Sequence, residues 1–192
     1  MAQKRTGQET RTLIFEACSQ ILRLEGLTSL TLDAVAEEAG LSKGGLFYHF
    51  PNKAALIEAL FEYHNNIFEE RLQELTKAEG NDSTAWLRAY AKASIEQIVD
   101  PDNAKLYASL FAAEEQYASA HQLMRDKYIN WQQQIDESNL DPAWATLIRL
   151  TVDGLWFSEM HQYAPPSAER RQEIVALLFE LTEKIADTTN SS

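Results

Sequence analysis

A short stretch near the start of the chain concentrates side chains that suit contact with a polyanion. It holds two amines, two hydroxyl groups, an imidazole and two adjacent glycines: Ser42, Lys43, Gly44, Gly45, Tyr48, His49 and Lys53. Such polar groups donate hydrogen bonds to phosphate oxygens and to base edges. Glycine is a poor helix former, and two in succession leave a bare backbone that can press close to DNA. These residue types predict a DNA-contacting surface; the alternative is a pair of core helices whose glycines only pack closely.

Two short helices joined by a tight turn are expected to carry these side chains. Apolar residues at helical spacing predict the first helix of this pair, with Thr31 as its N-cap and Gly40 as the left-handed residue at its end. Ser42 is expected to cap the second helix, and Pro51 to end it, because proline cannot continue the backbone hydrogen bonding. This arrangement indicates a helix-turn-helix, in which the second helix enters the DNA major groove.

The same stretch resembles the DNA-binding signature of the TetR family of bacterial transcriptional regulators. The matching residues read T-x-x-x-V-A-x-x-A-G-L-S-K-G-x-L-F-Y-H-F-x-N-K-x-x-L, and the resemblance spans about residues 10–56. It implies that the following residues lie at or near DNA: Thr31, Ser42, Lys43, Gly44, Gly45, Phe47, Tyr48, His49 and Lys53.

Position 47 departs from the family pattern, which usually has tyrosine there. Phe47 keeps an apolar contact to a thymine methyl group but offers no hydroxyl to a phosphate, a contact for which Tyr48 can compensate. The resemblance also implies that Lys53 holds a phosphate at the start of a fourth helix. Asp33 is not expected to read bases, so specificity is assigned mainly to residues 42–49.

Charge is distributed unevenly along the 192-residue chain, whose net charge is −12. Residues 1–53 carry equal numbers of acidic and basic residues, so the remainder holds the whole excess. An acidic second part repels DNA and favours docking through the first part. The single cysteine, Cys18, excludes an internal disulfide and is expected to be a small buried hydrophobe. With neither a secretory signal nor a membrane span in the sequence, we expect a cytoplasmic location.

The remaining chain is predicted to be helical throughout, giving an all-α fold of about nine helices. A polar, disordered segment is expected at residues 1–9, whose basic residues, with Arg11, either reach a minor groove or stay solvated. The first helix is predicted at residues 10–24 and the long fourth helix at residues 53–77. We expect residues 1–53 to form a three-helix, helix-turn-helix DNA-binding domain and residues 54–192 a ligand-binding and dimerisation domain.

The last two predicted helices, at about residues 142–162 and 167–187, are apolar over wide faces. Helices apolar this far round are buried in a core or at a subunit interface. The resemblance implies that they pair with their copies in a homodimer, and a symmetric dimer reads a pseudo-palindromic operator in double-stranded DNA. The alternative is core within one chain.

Aromatic residues are frequent in the predicted middle helices, and an aromatic-lined cavity between helices suits a drug-sized apolar ligand. The resemblance implies an inducer there, and the carboxylates of Glu114, Glu115, Asp153 and Glu159 could favour a cationic one. The other interpretation is that these aromatics are core. The candidate ligand-binding residues are Trp86, Tyr90, Tyr107, Phe111, Glu114, Met124, Tyr128, Trp131, Asp153 and Trp156.

No catalytic residues, metal ligands or cofactor are predicted. His64, His121 and His161 are isolated in sequence, and there is no G-x-S-x-G motif, His/Cys pair or carboxylate dyad at fixed spacing. The preferred hypothesis is therefore a repressor released from its operator by a small lipophilic ligand, with helix four carrying the signal. The alternatives are an activator of the same fold, a regulator controlled by a partner protein and, least favoured, an α-helical enzyme.

Overall fold

The computed structural model describes residues 6–138 and 140–189, and this part of the chain contains nine α-helices, one 3-10 turn and no strand. The all-α prediction is confirmed. The helices are α1 (Gly7–Leu24), α2 (Leu32–Glu38), α3 (Lys43–His49), α4 (Lys53–Glu79), α5 (Ala85–Val99), α6 (Pro101–Glu114), α7 (Ala118–Asp136), α8 (Pro142–His161) and α9 (Ala168–Thr189), with the 3-10 turn at Leu27–Ser29.

The chain divides into two compact units. Unit one comprises the described residues up to Asn65 together with Lys105–Leu123, and unit two comprises Asn66–Ala104 and the described residues from Met124 onward. The first part of α4 belongs to unit one and its remainder to unit two. The predicted functional division at residue 53 is a different partition and stays a prediction.

Unit one is built around a buried face of α1. Ile14, Cys18 and Leu22 are almost fully buried, as helical spacing predicts, and α1 packs against α2, which packs against α3. Leu46, in the middle of α3, and Phe50, directly after its last residue, are buried as well. Helix α3 is therefore held against the rest of unit one by apolar contacts.

Helix α1 begins three residues earlier than predicted, so the expectation of disorder is wrong for residues 6–9. The Thr6 hydroxyl accepts a hydrogen bond from the Glu9 backbone N–H, and the Glu9 carboxylate accepts one from the Thr6 N–H at 2.7 Å. This reciprocal capping box satisfies two backbone donors that the helix leaves open. Lys4 and Arg5, which were assigned to a basic arm, lie outside the described residues.

Unit two has an aromatic and aliphatic core in which α5 packs extensively against α8 and both contact α9. Tyr90, Ile148 and Val152 are buried there. The predicted starts of α8 and α9 are confirmed, since Asp141 accepts hydrogen bonds from the N–H groups of residues 143 and 144 and Ser167 accepts one from residue 170. These caps mark the first turns of both helices.

Candidate nucleic-acid interface

The connection between α2 and α3 has the geometry of a helix-turn-helix. The Thr31 hydroxyl caps α2 by accepting from the Ala34 N–H at 3.1 Å, and the Ser42 hydroxyl caps α3 by accepting from the Gly45 N–H at 3.1 Å. Between them Gly40 has φ +63°, a left-handed conformation that costs glycine least. The predicted caps and turn are therefore confirmed.

Helix α3 turns two aromatic side chains outward. Tyr48 is 86% exposed and Phe47 is 47% exposed, whereas Leu46 and Phe50 face the core. Large exposed aromatics are costly to leave in water, so a helix that presents two of them offers a contact surface. His49 is half-buried, and its ring meets the edge of the Tyr48 ring at 5.3 Å.

The two glycines of α3 differ in their surroundings. A Cβ built on Gly44 would meet no heavy atom within 4 Å, whereas one on Gly45 would lie 3.3 Å from the Ser42 hydroxyl oxygen. Packing within the protein therefore does not explain glycine at position 44. Glycine at position 45 is partly explained by the N-cap of α3, because a Cβ there would crowd the Ser42 hydroxyl.

The two lysines of the predicted surface have partners within unit one. Lys43 Nζ lies 2.7 Å from a carboxylate oxygen of Asp33, and both side chains are exposed. Lys53 is half-buried, and its Nζ lies 3.5 Å from the Leu27 carbonyl oxygen, a long hydrogen bond. Arg11 lies over the Phe50 ring at 4.7 Å, a cation–π contact that keeps it beside the motif.

Five of the ten candidate ligand residues meet in unit two. The Trp86 and Tyr90 rings stack at 5.3 Å, and Trp131 contacts both Tyr90 and Tyr128 at ring distances of 5.4 and 4.9 Å. The Tyr90 hydroxyl donates a 2.5 Å hydrogen bond to Asp153. Burial raises the pKa of both Tyr90 and Asp153, although hydrogen bonding to Tyr90 and the charge of Arg149 lower that of Asp153.

The other five candidates are distributed over both units. Tyr107, Phe111 and Glu114 belong to unit one, where the Tyr107 ring meets that of His64 at 6.1 Å. Trp156, in unit two, donates from Nε1 to the Gln97 side chain at 3.2 Å, and Met124 is half-buried.

Three of the four carboxylates that suggested a cationic ligand have basic partners. Asp153 accepts from Arg149 at 2.7 Å, and Glu159 is paired with Arg171. Glu114 lies 2.9 Å from His121, and burial raises the pKa of the Glu114 carboxyl. Paired charges offer little net attraction to a bound cation, so Asp153 and Glu159 lend little support to a cationic ligand.

Asp33 and Arg149 are interacting residues that the sequence reasoning did not identify. Arg149 and Asp153 are four positions apart on one helix, a spacing that predicts an ion pair. Asp33 and Lys43 are ten positions apart on different helices, and only the packing of α2 against α3 brings them together.

Helices α8 and α9 expose large apolar side chains in unit two: Trp144, Leu147, Leu150, Phe157 and Leu177. Leu177 is 63% exposed and Leu147 is 47% exposed. Their number on two helices exceeds the scattered exposure that is ordinary for a protein surface.

Residues 6–138 and 140–189 contain no group of three or more His, Cys, Asp or Glu side chains placed to hold a metal ion. Nor does any helix in those two ranges combine the length and apolar character that crossing a membrane requires.

Two family models match the chain. The model described as "Tetracyclin repressor-like, C-terminal domain" matches residues 84–183, and the model described as "Bacterial regulatory proteins, tetR family" matches residues 14–60. The chain is similar to the HTH-type transcriptional regulator TtgR of Pseudomonas putida, with 41% identity over 59 residues that cover 31% of this chain and 28% of that relative. That match therefore spans less than a third of the relative's length.

Solved structures share the fold along nearly the whole chain. A TetR transcription regulator from Haloarcula marismortui superposes with a TM-score of 0.74 at 17% identity, covering 93% of this chain and 98% of that one. The multidrug binding protein EbrR, complexed with imidazole, superposes with a TM-score of 0.67 at 21% identity, covering 88% and 94%. With its helix-turn-helix and its C-terminal helices matched by models of one family, the chain belongs to the TetR family of bacterial transcriptional regulators, which are DNA-binding proteins and not enzymes.

Proposed function

We propose that this protein is a homodimeric repressor that binds a pseudo-palindromic operator through α3 and leaves it when a small lipophilic ligand binds. The observation that carries the DNA-binding surface is the outward pair Phe47 and Tyr48 on a helix whose opposite side is buried. An exposed phenol beside amines and a bare backbone suits phosphates and thymine methyl groups. A regulator acts where the bacterial chromosome lies, so the proposal includes a cytoplasmic location.

The apolar faces of α8 and α9 support a homodimer that pairs through about residues 142–162 and 167–187. Regulators of this family dimerise, and two copies of one apolar surface can cover each other about a twofold axis. The exposed side of Gly154, against which a Cβ would meet nothing, leaves room for a partner helix to approach. A twofold dimer presents two copies of α3 to half-sites about one DNA turn apart, or a multiple of it.

The aromatic cluster of unit two supports a lipophilic effector without a strong charge. Trp86, Tyr90, Tyr128 and Trp131 bring four rings together in the core of unit two, and Tyr90, Asp153 and Arg149 are linked beside them by a hydrogen bond and an ion pair. Aromatic side chains with a few fixed polar groups are typical of drug-sized ligand sites. The similar fold of EbrR, a multidrug binding protein, agrees with this proposal.

We assign signal transmission to α4, because this one helix contributes residues to both units. If operator and effector favour different arrangements of the dimer's two DNA-binding surfaces, each weakens binding of the other. Linkage requires this antagonism to be reciprocal, so operator DNA must weaken effector binding by the same factor.

A footprint on the DNA upstream of the protein's own gene, at a stated salt concentration, tests the proposal. We expect wild-type protein to protect a pseudo-palindrome. The variant Tyr48→Ala should lose at least about tenfold in affinity, because the exposed ring and its hydroxyl both face the DNA. The matched variant Tyr48→Phe keeps the ring and isolates the contribution of the hydroxyl.

Melting temperature serves as the control in this experiment, since Tyr48 is exposed and its removal leaves the core intact. Unchanged DNA affinity in a folded Tyr48→Ala protein contradicts the assignment of α3 to the DNA surface. Failure of the wild-type protein to bind any duplex, including duplexes selected from random DNA, contradicts the function itself.

A further inference from the structure

An exposed ion pair connects the first turn of α2 to the first turn of α3. Lys43 Nζ lies 2.7 Å from Asp33 Oδ2, and both side chains remain mostly accessible to water. Exposed pairs of this kind are weak and exchange readily. Lys43 directly follows the N-cap Ser42 and belongs to the surface that we assign to DNA. The Asp33 carboxylate is therefore paired with the Lys43 amine, which could otherwise pair with a DNA phosphate.

We propose that Asp33 is an intramolecular competitor of DNA for Lys43. It lowers the affinity for every duplex, so that stable binding requires a site that supplies enough other contacts. This inference rests on the proposed function, because it needs α3 to meet DNA. It assigns a role to a residue that the sequence alone excluded from base reading.

The charges of the first part of the chain make this competition consequential. Residues 1–53 contain as many acidic as basic residues, so no general positive field draws DNA to them. Lys43 and Lys53 are the two lysines of the predicted surface, and withholding one of them removes a large share of its positive charge. Once DNA takes Lys43, the released carboxylate of Asp33 lies beside phosphates and is repelled.

Counterions give the competition a measurable signature. Binding of a lysine to a phosphate releases a condensed cation, and the logarithm of the affinity falls with the logarithm of salt by about 0.9 for each phosphate neutralised on B-DNA. When Lys43 leaves Asp33 for a phosphate, the Asp33 carboxylate attracts a cation from solution. This uptake offsets the cation that the phosphate releases. The wild-type salt dependence is therefore shallower than that of a protein without the Asp33 charge.

The opposite role for the same pair predicts the opposite sign. If Asp33 instead oriented Lys43 toward DNA and kept it in the complex, removing the carboxylate would free the lysine to move and would weaken binding. A competitor strengthens binding when it is removed. The direction of the change in affinity therefore separates the two roles.

The test uses the full-length protein, the duplex identified by footprinting and an unrelated duplex of equal length. Asp33→Asn removes the charge and preserves the size of the side chain. We expect it to bind both duplexes roughly three- to tenfold more tightly at low salt. Its salt dependence should be steeper by about 0.9 in slope for each subunit that meets DNA, so the gain shrinks at high salt.

Two further variants separate competition from a general effect of charge. Glu37→Gln removes one exposed carboxylate a turn further along α2, and we expect it to change affinity by less than about twofold. In a Lys43→Gln background, Asp33→Asn should give a smaller gain than in the wild type, because no lysine remains to be released.

Weaker or unchanged binding by Asp33→Asn overturns the inference. An equal gain from Glu37→Gln, or an equal gain with and without Lys43, also overturns it, because the effect would then be one of net charge alone. Wild-type protein that binds neither duplex would instead overturn the proposed function, and this inference with it.

Discussion

Gly44 is a residue at which the absence of a Cβ lowers the stability of α3 and is expected to serve DNA binding. Gly44 lies inside α3 and is exposed, and a Cβ there would meet no atom of the protein. Glycine in a helix interior is about 0.5–1 kcal/mol less stable than alanine. Since the fold would accept alanine, the remaining reason for glycine lies outside the protein, where the DNA backbone is expected to approach.

We therefore predict opposite effects of Gly44→Ala on stability and on DNA binding. The free energy of unfolding should rise by about 0.5–1 kcal/mol, because alanine restricts the unfolded chain and suits the helix. Affinity for the operator should fall, because the added methyl group occupies the space between helix and DNA. Denaturant unfolding and a DNA titration on the same protein measure both effects.

Ala54 offers a matched comparison for the effect of glycine, since it is exposed near the start of α4. Ala54→Gly should lower stability by a similar amount. If Gly44→Ala gains stability and retains full DNA affinity, the backbone of α3 does not approach DNA closely at that position.

Local rules predicted much of the motif, because they involve residues within four positions of each other. The caps by Thr31 and Ser42 and the left-handed Gly40 all follow from such rules, and all three are confirmed. The capping box at Thr6 and Glu9 is of the same kind, and its T-x-x-E spacing was readable in the sequence.

Contacts between elements could not be predicted in the same way. The pair of Asp33 and Lys43 depends on how α2 packs against α3, and the hydrogen bond between Ser19 and His64 joins residues 45 positions apart. The sequence contains the partners of such contacts but no local pattern that selects one partner over another. The same reasoning explains why only part of the predicted aromatic site forms a cluster.

At the scale of elements, a buried histidine joins α1 to α4. The Ser19 hydroxyl donates to the Phe15 carbonyl at 2.8 Å, so neutral His64 donates its Nε2–H to that hydroxyl at 2.9 Å. Burial first, and then the charge of Arg23, lower the pKa of His64 from 6.5 to about 4. Protonation of the imidazole is therefore expected to weaken this junction.

The contribution of His64 to stability should depend on pH with a defined sign. The folded pKa lies below the unfolded value of 6.5, so the unfolded state binds protons first as the pH falls. The contribution is complete above pH 6.5 and is lost as the pH falls from there toward 4. Between pH 7 and 5.5 we expect the free energy of unfolding to decrease by about 1 kcal/mol.

Chemical denaturation across this pH range, compared with His64→Gln, measures the effect. Glutamine does not titrate, so the variant should lose this part of the pH dependence even if it is less stable overall. The other histidines are present in both proteins, and their contributions cancel. Identical pH profiles would mean that His64 is not held neutral at the junction.

At the scale of the whole molecule, we propose that the apolar faces of α8 and α9 form the interface of a homodimer. We predict that Leu147→Glu converts the protein to a monomer, because the substitution places a charge in each copy of an apolar interface. An unpaired buried charge costs several kcal/mol, so dimerisation should weaken at least about a hundredfold. Sedimentation equilibrium measures this change directly.

Ile129→Glu serves as the matched control, since Ile129 on α7 is 45% exposed and lies outside the proposed interface. It should remain dimeric. The Leu147→Glu monomer should also bind DNA far more weakly, because one subunit covers only one half-site. A dimer that persists in Leu147→Glu and disappears in Ile129→Glu would move the interface to another surface.

Unit one is built from two separate segments of the chain, and this affects how it folds during synthesis. Residues Lys105–Leu123 complete this unit, with Leu106 and Leu110 buried and the Ser109 hydroxyl donating to the Leu22 carbonyl at 3.2 Å. The helix-turn-helix leaves the ribosome early, but the segment that completes its packing is synthesised only after all of α5 and the start of α6. Contacts between such distant segments form slowly. The nascent DNA-binding helices therefore await a later part of their own chain, and a truncated translation product lacking it would be an incompletely folded regulator.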